Sequence, residues 1–192
     1  MSAPNPFAVN VTTLRRQPGA RREEHRRGPL PDLAVSGSTV PPGADVQVDA
    51  VLEAVHGGVV VSADVAAPWV GECRRCLRPI AGEVSSHVRE LYEEHSDGEE
   101  TYPLRGDQVD LGALARDAVL LELPLAPLCI EDCLGLCPEC GANRNESDCG
   151  HVMSTIDTRW AALDALRTDT TSEDERDDDG RPQEEDLQGQ EP

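Results

Sequence analysis

The chain has 192 residues, room for one medium domain plus tails, and a formal charge of −20 in which every basic residue is arginine. An acidic balance of this size excludes a broad phosphate-binding face, because affinity for nucleic acid rises with the phosphates neutralised. Hydrophobic residues are only 38% of the chain, with one Phe, two Tyr and two Trp, so a small core of Val, Leu and Ala is expected, one that a metal crosslink would help to hold.

Residues 5–14 alternate Phe7, Val9 and Val11 at period 2 and predict one strand. The stretch Arg15 to Arg27 has no apolar period. A solvated linker is the favoured reading there; the other is an arginine-rich contact to RNA or an acidic partner through Arg15, Arg16, Arg21 and Arg22. Residues 1–31 carry six Arg against two Glu and are the only basic arm.

Residues 32–92 read as an antiparallel β meander. Leu33, Val35, Val46, Val48, Ala50 and Leu52 alternate with polar or small residues, Pro41-Pro42-Gly43 and Gly57-Gly58 punctuate the path, and Ile80, Gly82, Val84, Ser86 and Val88 continue it. Cys73 and Cys76 fall on the turn between two of these strands. Residues 93–107, with Glu93, Glu94, Asp97, Glu99, Glu100 and Asp107, are expected as an exposed acidic loop.

Asp110 can cap a helix with Leu111, Leu114, Ala115, Ala118 and Leu121 on one face. Pro124 ends it, because proline disfavours the helical conformation of the residue before it. A cysteine-rich run follows. Asp157 can then cap a short helix with an apolar stripe of Trp160, Leu163 and Leu166. From residue 168 onward eleven acids stand against two Arg, a composition that predicts disorder.

The expected fold class is therefore α+β: an antiparallel meander with a few helices, a zinc-stabilised Cys-rich module and a disordered acidic tail. The expected division is 1–31, strand and Arg-rich arm; 32–128, sheet with one helix; 129–167, zinc module and short helix; 168–192, tail. No stretch approaches the roughly 20 apolar residues of a membrane span, and the N-terminus lacks a signal-peptide apolar region. A cytoplasmic protein is expected, where close cysteines read as metal ligands and not disulfides.

Cys73-x2-Cys76 and Cys137-x2-Cys140 have knuckle spacing: two sulfurs reach one ion while backbone amides turn toward them. With Cys129, Cys133, Cys149 and His151 they make eight ligands, enough for one or two four-coordinate Zn2+. Two partitions use all eight. The favoured one joins Cys73 and Cys76 to Cys129 and Cys133, and Cys137 and Cys140 to Cys149 and His151, because it needs only one long loop closure. The other pairs the two CxxC units and leaves Cys129, Cys133, Cys149 and His151 together. Either Cys129 or Cys133 can also be read as a free buried thiol, since neither has knuckle spacing. Closed four-ligand zinc has no open position for water, so the expected role is structural. No GxSxG, Walker loop or HExxH is present. A redox reading attaches to Cys73 and Cys76, where Arg74 and Arg75 supply a cationic setting.

The residues Cys73-Arg-Arg-Cys76-Leu77, Leu121-Glu-Leu-Pro124-Leu-Ala-Pro-Leu-Cys129, Asp132-Cys133-Leu-Gly135-Leu136-Cys137-Pro138-Glu-Cys140-Gly141-Ala-Asn143 and Asp157-Thr-Arg159-Trp160-Ala-Ala-Leu163 together resemble the YceD family, the large ribosomal RNA subunit accumulation proteins. The resemblance covers most of residues 5–167 and leaves out the acidic tail. It departs at His151, where cysteine is expected, and at Arg144, where leucine is. It implies a non-enzymatic role in ribosome biogenesis, supporting accumulation or processing of large-subunit ribosomal RNA, with large-subunit RNA, a pre-ribosomal particle or a ribosomal protein as partner and no membrane. Two other classes stand beside it: an acidic adaptor that binds basic ribosomal proteins without touching RNA, and a thiol oxidoreductase using Cys73 and Cys76.

Overall fold

The computed structural model describes residues 5–96 and 100–151. The chain divides into two units, Met1–Cys149 and Gly150–Pro192, and of the second only Gly150 and His151 are described. The helix expected after Asp157 and the acidic tail lie outside the described residues.

The first unit is mixed α+β and strand-rich. In chain order it runs β1 (Ala8–Asn10), α1 (Thr12–Arg15), β2 (Arg21–Pro29), β3 (Ser38–Thr39), β4 (Asp45–Val55), β5 (Gly58–Glu72), β6 (Pro79–Glu93), β7 (Tyr102–Pro103), β8 (Gln108–Asp110) and α2 (Leu111–Glu122). The large sheet has the order β2-β4-β5-β6-β7, with β3 pairing β5; β1 and β8 form a separate two-stranded ribbon.

Strands β4, β5 and β6 form the expected meander. Alternation places Val46, Val48, Ala50 and Leu52 of β4 and Val59, Val61, Ala63, Val65 and Ala67 of β5 on one buried face. On β6 the inward positions are shallower: Val84 is buried, whereas Ser86 and Val88 are half-buried. Helix α2 packs on this face against β5 and β6. Its start follows the expectation, since the Asp110 side chain accepts from the Gly112 N–H at 2.9 Å. It ends before Pro124, with Leu123 already extended.

Four expectations need correction. The strand foreseen over 5–14 is only three residues long; Phe7, Val9 and Val11 are buried as foreseen, but the chain turns helical at Thr12. The stretch read as a solvated linker contains β2, which pairs with β4 along nine residues from Arg21↔Glu53 to Pro29↔Asp45. Residues 21–29 thus supply an edge strand to the large sheet. Its period is polar: Arg22, Glu24 and Arg26 lie opposite buried Leu52, Ala50 and Val48. Charge on the inward side of an edge strand discourages pairing with another chain. The acidic loop over 93–107 is not wholly exposed, because β7 pairs with β6 and Leu104 is buried. Finally, Leu121 is 86% exposed, because the buried stripe of α2 is centred on Ala115 and Val119 and Leu121 falls past its edge.

Candidate metal centre

The hairpin of β5 and β6 closes with the pair Glu72↔Pro79 and hands six residues, 73–78, to a turn. The Cys73 N–H donates to the Arg78 carbonyl at 2.8 Å, and the Leu77 N–H donates to the Cys73 carbonyl at 2.8 Å. This tight turn brings the Cys73 and Cys76 sulfurs together. The segment after α2 is then led to them by a series of hydrogen bonds. Ser38 Oγ donates to the Pro124 carbonyl at 2.9 Å, Ser36 Oγ to the Leu125 carbonyl at 3.3 Å, and the Arg74 N–H to the Pro127 carbonyl at 2.9 Å. Two prolines keep this run from continuing the helix, and Cys129 arrives at the turn.

Cys73, Cys76, Cys129 and Cys133 have sulfurs all within 4.8 Å of one another. Cys73 and Cys133 are 3.7 Å apart, and Cys76 and Cys129 3.6 Å. A disulfide requires about 2.0 Å. A tetrahedron of 2.3 Å zinc–sulfur bonds has edges of about 3.8 Å, so the donor set fits such an ion. None of the seven cysteines is in a disulfide.

The second knuckle repeats the first. The Gly141 N–H donates to the Cys137 carbonyl at 2.8 Å, as Leu77 does to Cys73. Gly141 takes a left-handed φ of 72°, and Leu77 takes φ 59° at the matching place. Ligand atoms of Cys137, Cys140, Cys149 and His151 also lie within 4.8 Å of one another. The structure therefore brings the eight residues together in the favoured partition.

Electrostatics supports a cation in the first group. Burial raises the Cys73 thiol, but the backbone N–H groups of Cys76, Cys129 and Arg75 outweigh it and bring it to about 6. Burial and the hydrogen bonds of neighbouring thiols push Cys129 up to about 12. Four close thiols cannot all ionise unaided, because each thiolate opposes the next; a divalent cation removes that opposition. In the second group the Cys140 and Glu139 N–H groups hold Cys137 down at about 6.

Sequence reading missed the groups around the sulfurs. Asn145 Nδ2 donates to Cys133 Sγ at 3.3 Å. The Arg75 guanidinium donates to the Cys133 carbonyl at 2.9 Å, and the nearby Cys76 sulfur is the first cause that raises the Arg78 guanidinium above its ordinary pKa. An amide two residues past Asn143 gives no spacing signal of its own.

The arginines foreseen as RNA contacts are mostly engaged. Arg15 pairs with Glu94 at 2.6 Å and Asp107 at 2.8 Å, Arg21 with Glu53 at 2.9 Å, and Arg22 with Glu24 at 2.8 Å. Arg16 is exposed.

A strand-rich α+β unit with two four-ligand groups able to hold metal ions is the class of protein these features define. The family described as large ribosomal RNA subunit accumulation protein YceD matches residues 61–167, and the chain belongs to that family. It is 38% identical over 167 residues to the uncharacterized protein Rv2926c of Mycobacterium tuberculosis (strain ATCC 25618 / H37Rv), covering 83% of this chain and 80% of the relative. It is 33% identical to the uncharacterized protein ML1660 of Mycobacterium leprae (strain TN), covering 90% and 83%. A 66-residue stretch is 32% identical to the chloroplastic large ribosomal RNA subunit accumulation protein YCED homolog 1 of Arabidopsis thaliana, 34% of this chain and 21% of the relative. No solved structure matches significantly. Among the described residues no helix is long and apolar enough to cross a membrane.

Proposed function

We propose that this protein is a non-enzymatic ribosome-biogenesis factor of the cytoplasm. It supports accumulation or processing of large-subunit ribosomal RNA, and two Zn2+ ions act in it as structural crosslinks. Family membership supports the ribosomal assignment. The observation that carries the structural role is that each ligand group already holds four donor atoms within 4.8 Å. When bound, zinc supplies a tetrahedral crosslink with no position left for water, so it orders the chain without activating a nucleophile. Cys73 and Cys76 do this by fixing the β5–β6 turn; Cys129 and Cys133 do it by anchoring the run after α2.

Large-subunit RNA or a pre-ribosomal particle is the partner, with a ribosomal protein as a further contact. Arg16, exposed, and Arg21, paired but 68% exposed, are the arm's best-placed groups for phosphate. Depletion should lower large-subunit RNA relative to small-subunit RNA, and the protein should co-sediment with large-subunit precursors. Unchanged RNA levels and processing would remove the proposal.

The acidic adaptor is the second reading. It is favoured by the charge of −20 and by the internal pairing of Arg15, Arg21 and Arg22. RNA binding that weakens on Arg16→Ala plus Arg21→Ala would argue against it. The oxidoreductase reading gains no support, because an attacking thiolate needs access and Cys73 and Cys76 are 0% and 6% exposed.

A further inference from the structure

The segment from Cys133 to Cys137 is held from two sides. On one side lies the first knuckle. The Leu136 N–H donates to the Arg75 carbonyl at 3.2 Å, and the Arg75 guanidinium donates to the Cys133 carbonyl at 2.9 Å. Gly135, at φ 74°, approaches so closely that an added Cβ would stand 3.0 Å from the Arg75 carbonyl oxygen.

On the other side lies the loop of residues 141–148, which the second ligand group closes between Cys140 and Cys149. Its Arg144 N–H donates to the Gly135 carbonyl at 3.0 Å, and the Ala142 carbonyl accepts from the Cys137 N–H at 2.8 Å. Asn145 reaches furthest. Its Oδ1 accepts from the Leu134 N–H at 2.9 Å, and its Nδ2 donates to Cys133 Sγ at 3.3 Å. Asn145 is fixed in turn by Asn143 Oδ1, which accepts from its backbone N–H at 3.0 Å and its Nδ2 at 2.8 Å. Asn143 Nδ2 donates to Glu146 Oε1 at 3.0 Å. Asn145 thus belongs to the second group by chain position and to the first by contact with one of its sulfurs.

We infer that Asn145 is a positioning residue that couples the two metal sites, so that filling the second raises the affinity of the first. The inference rests on the metal reading above. Without an ion in the second group, the loop that carries Asn145 must be ordered at a cost in conformational entropy. An ion on Cys137 and Cys140 removes much of that cost and presents the Nδ2 donor to Cys133. A hydrogen bond to a ligand sulfur fixes its orientation and stabilises its anionic form, and loss of such a partner weakens metal binding about tenfold or more. Coupling of this kind is reciprocal, so the first site strengthens the second by the same factor.

The test is a double-mutant cycle on the full chain, with Zn2+ as the probe. Cys140→Ser removes an exposed ligand of the second group. First-site affinity is read by chelator competition, and the populations carrying zero, one and two ions by native mass spectrometry. In wild type the one-ion species should be less populated at half-saturation than in Asn145→Ala. Cys140→Ser and Asn145→Ala should each weaken the first site about tenfold, and the double variant should be little worse than either. Asn145→Asp keeps an acceptor for the Leu134 N–H but loses the donor to Cys133. It should show the same loss with an unchanged circular dichroism spectrum, which separates coupling from misfolding. Effects that multiply in the double variant, or an Asn145→Asp protein that binds like wild type, would overturn the coupling while leaving both metal sites in place. A wild type that takes up no zinc would overturn the metal reading and the coupling with it.

Discussion

Leu77 and Gly141 occupy the same place in two knuckles, one residue after the second cysteine, and both are left-handed. Glycine takes this conformation freely, whereas a residue with a Cβ is penalised by about 1–2 kcal/mol. Leu77 is also 57% exposed, so packing offsets little of that cost. Leu77→Gly should therefore raise Tm by about 2 °C, the strain relief exceeding the entropy lost by glycine. A lower Tm would show that the leucine side chain contributes more than its exposure implies. A second residue-scale prediction concerns Asp107. The Thr12 hydroxyl first, and Arg15 next, hold its carboxyl below the usual range against the opposing effect of burial. Its folded pKa is depressed, so its stabilising contribution is present above the unfolded value and is lost as pH falls through the folded one. Asp107→Asn should be less stable than wild type at pH 6, and the gap should close below about pH 4. A gap unchanged between pH 6 and pH 3 in thermal unfolding would contradict this. At this scale the two knuckle pairs were legible from spacing, because two intervening residues let both sulfurs reach one ion, whereas Cys129 and Cys133 lack that spacing and only the fold brings them to Cys73 and Cys76. Asn145 was not legible, because its role depends on which loops meet.

Among the elements, helix α2 shows how much local chemistry decides. The Asp110 cap and the Pro124 stop were readable in the sequence, and both hold. Asp110→Ala leaves the Gly112 N–H without its side-chain acceptor and should destabilise the unit by about 1 kcal/mol, measured by denaturant unfolding. A change below a few tenths would show that another acceptor replaces it. The long strands were legible for the same kind of reason: Val48, Ala50 and Leu52 repeat every second residue because one face of β4 is buried. Strand β2 was not legible. Its inward side chains are Arg22, Glu24 and Arg26, with Glu24 bridging the two arginines at 2.8 and 2.7 Å, so no apolar period marks it. What makes it a strand is nine residues of backbone pairing with β4, a long-range property that local composition does not report. Leu121 failed for a geometric reason. Spacing puts it near the apolar stripe, but only the packing against β5 and β6 shows where that stripe ends.

At the scale of the whole unit, a core with few aromatic side chains is extended at one end by cysteine-bearing turns. Among the described residues, Phe7 and Tyr92 are the aromatic ones in the set of largest fully buried side chains. Tyr92 stacks on Tyr102 at 5.1 Å and donates to the Asp110 carbonyl, joining the end of β6 to the start of α2. At the other end of β6 the first ligand group joins the β5–β6 turn to the run after α2. The helix is thus tied to the sheet by packing, and the run after it by the hydrogen bonds of its Pro124 and Pro127 carbonyls. Under the proposed function the fold near the knuckles depends on the ions, and the charge of −20 disfavours a broad RNA contact outside a few arginines. Elemental analysis of the purified full-length protein, with thiol titration before and after chelation, addresses this dependence most directly. The expected result is two zinc ions per chain, with cysteines that react only once the metal is removed. Metal-free protein whose seven thiols react while it remains folded would contradict it.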